Sequence, residues 1–121
     1  MAEDYFANGG LTEGELITRI CFKIPFKGTY LKHTRASSTD AVVGVLVSRF
    51  EERCRVAIVG AQRVAFLCPA LEAALGTRFH QDVYERSHIP DDMFILRDDA
   101  SLDYQLNLVE VLCKKAIKRC A

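Results

Sequence analysis

The pattern of apolar and polar residues predicts three strands in the first half of the chain. Apolar and polar residues alternate over residues 20–24, as in a strand with one face in the core, and Pro25 ends this strand. Residues 41–48 are apolar and rich in β-branched side chains, which is typical of a strand covered on both faces. The polar residues 49–53 then form a hairpin connection to a returning strand at 54–60.

The second half of the chain has the spacing of helices. Pro69 suits the first turn of a helix, where its missing N–H costs nothing, and Gly76 is a natural C-terminal stop. Residues 79–86 predict a second, shorter helix, and Ser101 marks the start of a long third helix that ends near Cys120. The broad apolar face of the third helix comprises Leu102, Leu106, Val109, Leu112, Cys113, Ala116, Ile117 and Cys120. Strands followed by helices predict an α+β fold, an antiparallel sheet covered on one side by helices.

Length and composition indicate one globular domain over residues 1–121, with residues 1–13 as a lead-in segment. The hydrophobic fraction of 50% and the charged fraction of 26% are ordinary for a globular protein. The 16 basic and 16 acidic residues cancel, so neither a nucleic acid nor a membrane surface is an expected partner. The N-terminal residues are acidic without the apolar core of a signal peptide, and no apolar run is long enough to span a membrane.

The five cysteines exclude one common kind of site, because no two of them have the two-residue spacing of a CxxC metal or redox motif. Cys21, Cys68 and Cys113 lie in apolar runs, so we expect buried free thiols and a reducing, cytoplasmic location. Cys68 precedes a predicted helix, a position at which the helix dipole can lower the pKa of a thiol. Its sequence neighbours include no base, which favours a place in the core.

The sequence contains no catalytic motif, and its other polar residues favour a solvated surface. The three histidines lie far apart and have polar neighbours, which favours surface positions over a metal site: His33, His80 and His88. Two aspartate pairs, 91–92 and 98–99, leave cation binding or acid–base chemistry open. Adjacent side chains usually point apart, however, so helix capping or solvated loop charge is the preferred interpretation.

The predicted loop over residues 30–40 is the candidate binding site. Tyr30, Lys32, Arg35 and Asp40 precede a buried strand and together suit a pocket for an anionic or carbonyl-bearing ligand. From the residues alone, the preferred interpretation is that Lys32 and Arg35 are solvated and that Asp40 caps or turns the backbone before the strand.

Four segments, in order and at compatible spacing, resemble the C-terminal domain of the FAD-carrying medium subunit of molybdenum hydroxylases, the family of carbon monoxide dehydrogenase and xanthine dehydrogenase. The segments are "DYFANGGLTEGELITRICFKIP", "YLKHTRASSTDAVVGVLV", "VAIVGAQRVAFLCPALEAAL" and "SLDYQLNLVEVLCKKA". The chain departs from the family pattern at Ala61, where a second glycine is frequent, and at Gln105, where arginine is usual. The glycine-rich pyrophosphate loops of the family's FAD-binding domains are not in this sequence.

The resemblance implies a fold, a site and a role. The fold has three to four antiparallel strands, with about three helices packed on one face. Lys32 corresponds to a lysine that faces the flavin ring, with Asp40 nearby, and Tyr30 and Arg35 belong to the same site. The expected role is that of a non-catalytic accessory domain of an oxidoreductase, which completes a flavin site only together with a separate FAD-binding domain and binds no cofactor alone. The alternative is a free-standing small-ligand-binding or dimerisation module without a redox role, and a homodimer is left open.

Overall fold

The computed structural model describes residues 4–5, 8–35, 41–61, 64–95 and 100–121. The strands and helices of this part of the chain are β1 (Lys27–Thr34), β2 (Ala41–Arg49), β3 (Cys54–Val59), β4 (Phe66–Leu67), α1 (Pro69–Thr77) and α2 (Leu102–Cys120). Three short 3-10 turns lie between the helices, at Gln81–Val83, Arg86–His88 and Asp91–Met93. The predicted α+β class is confirmed, with two α-helices in the described residues where about three were expected.

The four strands form one antiparallel sheet in the order β1-β2-β3-β4. The predicted hairpin of β2 and β3 is therefore its centre. Val45 lies opposite Leu31 on one side and Ile58 on the other. Because side chains alternate between the two faces of a strand, Val43 and Val47 share the face of Val45, and all three valines are fully buried.

Helix α2 covers this valine face, as predicted. Ser101 begins the helix, because its Oγ atom accepts a hydrogen bond from Tyr104 N at 3.2 Å. Val109, Cys113 and Ile117 are fully buried. The predicted apolar face is therefore the face that packs on the sheet.

Helix α1 is attached to β3 by a glutamate. Glu72 Oε1 accepts a hydrogen bond from Val56 N at 2.9 Å, and Glu72 Oε2 lies 3.2 Å from Arg55 Nη1. Pro69 occupies the first turn as predicted, but Gly76 does not end the helix, which continues to Thr77. The stop comes from Arg78, whose backbone is extended.

Three predicted elements differ from the structure. Residues 20–24 form no strand, and their side chains are exposed instead of buried, since no strand of the described residues pairs with them. Residues 79–86 form no α-helix, because the backbone is extended at His80 and permits only the 3-10 turn Gln81–Val83. The predicted loop over residues 30–40 begins as strand, since β1 extends to Thr34.

Within the described ranges, the helices are too short or too polar to cross a membrane.

Candidate functional site

Strand β1 places Tyr30 and Lys32 on the face of the sheet opposite α2. The alternate residue Thr29 faces the helix, where its Oγ1 atom lies 3.2 Å from Cys120 Sγ. Tyr30 lies opposite Leu46, and Lys32 lies opposite Gly44 on β2. Both side chains are exposed, with Tyr30 at 49%. Two of the four predicted site residues therefore share one accessible surface.

Gly44 provides the space that the Tyr30 ring occupies. A Cβ atom at this position would lie 2.6 Å from Tyr30 Oη and 2.6 Å from Val59 Cγ2. The phenol group therefore lies over Gly44 of β2, and the Val59 side chain of β3 borders the same space. A glycine inside an apolar strand often marks such a close approach, and this signal was present in the sequence.

The surroundings of Tyr30 and Lys32 are mostly apolar. Leu46 is 39% exposed, and Ala57 and Val59 on β3 are half-buried. These three residues share the face of Tyr30, because Leu46 pairs with Ala57 and Gly44 pairs with Val59. We call the surface formed by Tyr30, Lys32, Leu46, Ala57 and Val59 the open face. The prediction that β2 is covered on both faces is wrong at Leu46, since α2 packs on the other side of the sheet.

The other two predicted site residues lie beyond β1. Arg35 is exposed and follows the last residue of the strand. Asp40 lies outside the described residues, so its place near Lys32 stays a prediction. The structure therefore places two of the four predicted site residues, Tyr30 and Lys32, together on the open face.

The three histidines lie apart, and each has a different partner. His33 Nε2 lies 3.3 Å from Tyr104 Oη on the helix side of the sheet. His80 Nδ1 lies 3.1 Å from Asp82 Oδ2, and His88 Nδ1 accepts a hydrogen bond from Glu85 N at 3.2 Å. Among the described residues, no three histidine, cysteine or acidic side chains are grouped to hold a metal ion.

The described aspartates of the loop before α2 are surface residues. Asp91 Oδ1 lies 2.6 Å from Arg86 Nη2, and both side chains are largely exposed. Exposed ion pairs of this kind contribute about 0–1 kcal/mol. Asp92 is exposed, and the pair 98–99 lies outside the described residues.

Four of the five cysteines are buried, and Cys21 is exposed. The prediction that Cys21 lies in the core is wrong, because Cys21 and its neighbours in residues 20–24 are exposed. Burial, with a smaller contribution from the nearby charge of Glu72, raises the pKa of Cys68 to about 12. The Cys68 thiol is therefore protonated at neutral pH, and its predicted place in the core is confirmed.

A solvent-open cleft of about 780 Å³ lies at the other end of the sheet, and the sequence analysis did not identify it. It lies between residues 23–26 and the β2–β3 connection at 50–53. Lys23 and Arg53 contribute positive charge and Glu51 and Glu52 negative charge, so its lining has no net charge. The cleft therefore indicates no ligand class.

Fold and site define an α+β domain whose sheet is covered on one side by helices and carries a tyrosine and a lysine on the other. Comparison of the chain with models of known protein families, with curated proteins and with solved structures gives no match. The resemblance to molybdenum hydroxylase flavoprotein subunits stays an expectation from the four sequence segments described above.

Proposed function

We propose that this chain is a non-catalytic accessory domain that completes a flavin site together with a separate FAD-binding domain. The observation that carries the proposal is the position of Tyr30 and Lys32 side by side on the open face. The four-segment resemblance supports the same assignment, because it aligns Lys32 with a lysine that faces the flavin ring.

The chemistry of the open face suits one edge of a flavin ring system. Tyr30 and Leu46 offer an exposed apolar surface, on which a flat aromatic ring system packs. Lys32 carries an ammonium group, which donates hydrogen bonds to carbonyl oxygens. The two side chains thus match the two features of the ring, its apolar plane and its carbonyl edge.

The same face is too small to hold FAD alone. A charge-assisted hydrogen bond contributes roughly 1.5–3 kcal/mol, and a well-placed aromatic contact adds roughly 0.5–1.5 kcal/mol. Association costs about 4–15 kcal/mol, so the balance is near zero or unfavourable. We therefore expect the isolated chain to bind FAD no more tightly than about 1 mM.

The pyrophosphate of FAD requires a partner as well. Backbone N–H groups at a glycine-rich turn or a helix N-terminus usually bind it. In the structure, α1 begins with Pro69, which has no N–H, and Ser101 Oγ already accepts the N–H of Tyr104 at the start of α2. The proposal assigns the pyrophosphate and adenosine to the separate domain.

Two calorimetric titrations test the proposal. Free FAD added to the isolated chain should give no saturable signal below about 1 mM. The FAD-loaded FAD-binding domain of a molybdenum hydroxylase flavoprotein subunit, prepared without its own C-terminal domain, should bind the chain. Lys32→Met should weaken this binding, while Lys115→Met, an exposed lysine on α2, should leave it unchanged. Absence of binding to the FAD-loaded domain would overturn the proposal.

A dimerisation module is the second candidate function. The observation in its favour is the exposed apolar segment that precedes β1, which includes Phe22 at 81% and Ile24 at 84% exposure.

A further inference from the structure

Residues 16–24 have the composition of a strand but belong to no sheet. Their even-numbered positions are mostly apolar, and Leu16, Ile20, Phe22 and Ile24 are each about 80% exposed, between 78% and 84%. Within the described part of the chain, residues 16–25 make no backbone hydrogen bond. An alternating segment with two unpaired edges is a template for strand pairing.

A two-residue hairpin cannot join the segment to its own β1. Only Pro25 and Phe26 separate it from Lys27, the first residue of β1. A two-residue hairpin requires a positive φ at its first position, whereas proline fixes φ near about −65°. Phe26 N also donates a hydrogen bond to Arg49 O at 3.0 Å, which holds the chain in line with β1. Among the described strands of its own chain, the segment therefore has no pairing partner.

A second copy of the chain offers an edge of matching length. Strand β1 is an edge strand, since its neighbour among the described strands is β2 alone. A two-fold axis near Pro25 places residues 16–23 of one copy antiparallel to the eight residues of β1 in the other, with Leu16 opposite Thr34 and Lys23 opposite Lys27. The exchange is reciprocal, so one symmetric contact pairs both segments and both β1 edges.

We propose that residues 16–24 exchange between two copies of this chain, each adding a strand to the other's β1 edge. In this register Ile20 lies opposite Tyr30, so the apolar side of the segment extends the open face. The dimer rests on observations independent of the flavin proposal.

The register also brings like charges together. Lys23 of each copy lies opposite Lys27 of the other, and like charges directly opposite each other destabilise a strand pair. Lys23→Glu replaces both repulsions by attractions and should tighten the dimer. The tighter dimer expected for Lys23→Glu depends on the proposed register, in which residue 23 lies opposite Lys27. An exposed apolar segment that associates without a fixed register would not show it.

Sedimentation velocity over a concentration series tests the exchange. The wild-type chain should dimerise in a concentration-dependent manner, Ile20→Asp should weaken the dimer by about tenfold or more, and Lys23→Glu should strengthen it. Lys118→Glu, a matched charge change on the exposed side of α2, should have no effect. Hydrogen exchange should slow at the amides of residues 16–24 on dimerisation.

Two outcomes overturn the exchange. If the chain stays monomeric at about 0.5 mM, the exchange between two copies is wrong, and the pairing partner of residues 16–24 is a different polypeptide. If Leu46→Asp breaks the dimer and Ile20→Asp leaves it intact, the two copies associate through the open face and not through residues 16–24. Failure of flavin-domain binding leaves the exchange standing, because the two experiments have different readouts.

Discussion

Replacement of Gly44 by alanine tests the packing of Tyr30 on the sheet. The added Cβ atom would lie 2.6 Å from both Tyr30 Oη and Val59 Cγ2, whereas carbon atoms in contact are usually about 3.5–4.0 Å apart. Overpacking of this kind costs roughly 1–3 kcal/mol, and the stiffer unfolded chain offsets roughly 0.4–1 kcal/mol. We expect Gly44→Ala to lower the free energy of unfolding by about 1–2 kcal/mol.

Urea denaturation followed by circular dichroism measures this effect, and a double-mutant cycle assigns it. Tyr30→Ala removes one of the two close contacts, so part of the Gly44→Ala cost should disappear in the double variant, with a coupling of about 0.5–1.5 kcal/mol. Gly76→Ala is the matched control, because a Cβ atom there has no neighbour within 4 Å. Inside α1 that change should stabilise by up to about 1 kcal/mol. Strict additivity of Gly44→Ala and Tyr30→Ala would refute the packing of the phenol on Gly44.

Four further predictions concern the core, a helix cap and the thiols. Val109→Asp buries an unpaired charge at a fully buried position and should cost about 3–5 kcal/mol; an unchanged melting temperature would contradict the position of α2. Ser101→Ala should cost about 1 kcal/mol in urea denaturation, while Ser101→Asp should retain the cap. Ellman's reagent should modify only Cys21 in the native chain, and Cys21→Ser should abolish the native reaction. Burial raises the pKa of Cys68 to about 12, whereas an unfolded thiol ionises near about 8.5. Above that pH the unfolded chain binds fewer protons than the native chain, so stability should decline as pH rises toward about 12, and the urea midpoint should fall between about pH 8 and pH 10.

The sequence predicted the strands and the helix whose apolar residues are buried in the core of the chain itself. β2 and β3 followed from continuous or alternating apolar residues, and α2 followed from its broad stripe and the cap at Ser101. The same reasoning was wrong for residues 20–24, because alternation shows that one face suits burial and does not show that a partner strand is present. β1 was missed for the converse reason. As an edge strand it carries polar and charged residues, among them Lys27 and His33.

The candidate site was predictable only in part. The two-residue spacing of Tyr30 and Lys32 places both side chains on one face once the segment is a strand, and the sequence analysis treated it as a loop. Which face of the sheet stays exposed depends on the side that α2 covers. The side is decided by the packing of α2 on β1 and β2, which are distant from it in the sequence. The contact of Tyr30 with Gly44 depends on strand register, which no local pattern specifies.

The flavin absorption spectrum is the sharpest test of whether the open face lies at the flavin ring. The FAD-loaded FAD-binding domain of a molybdenum hydroxylase flavoprotein subunit, prepared without its own C-terminal domain, is titrated with this chain while the visible flavin bands are recorded. We expect a saturable shift of these bands with the wild-type chain, a reduced shift with Lys32→Met, and a full shift with Lys115→Met. An unchanged spectrum, or equal shifts with the wild-type chain and Lys32→Met, would contradict a place for the open face at the flavin ring.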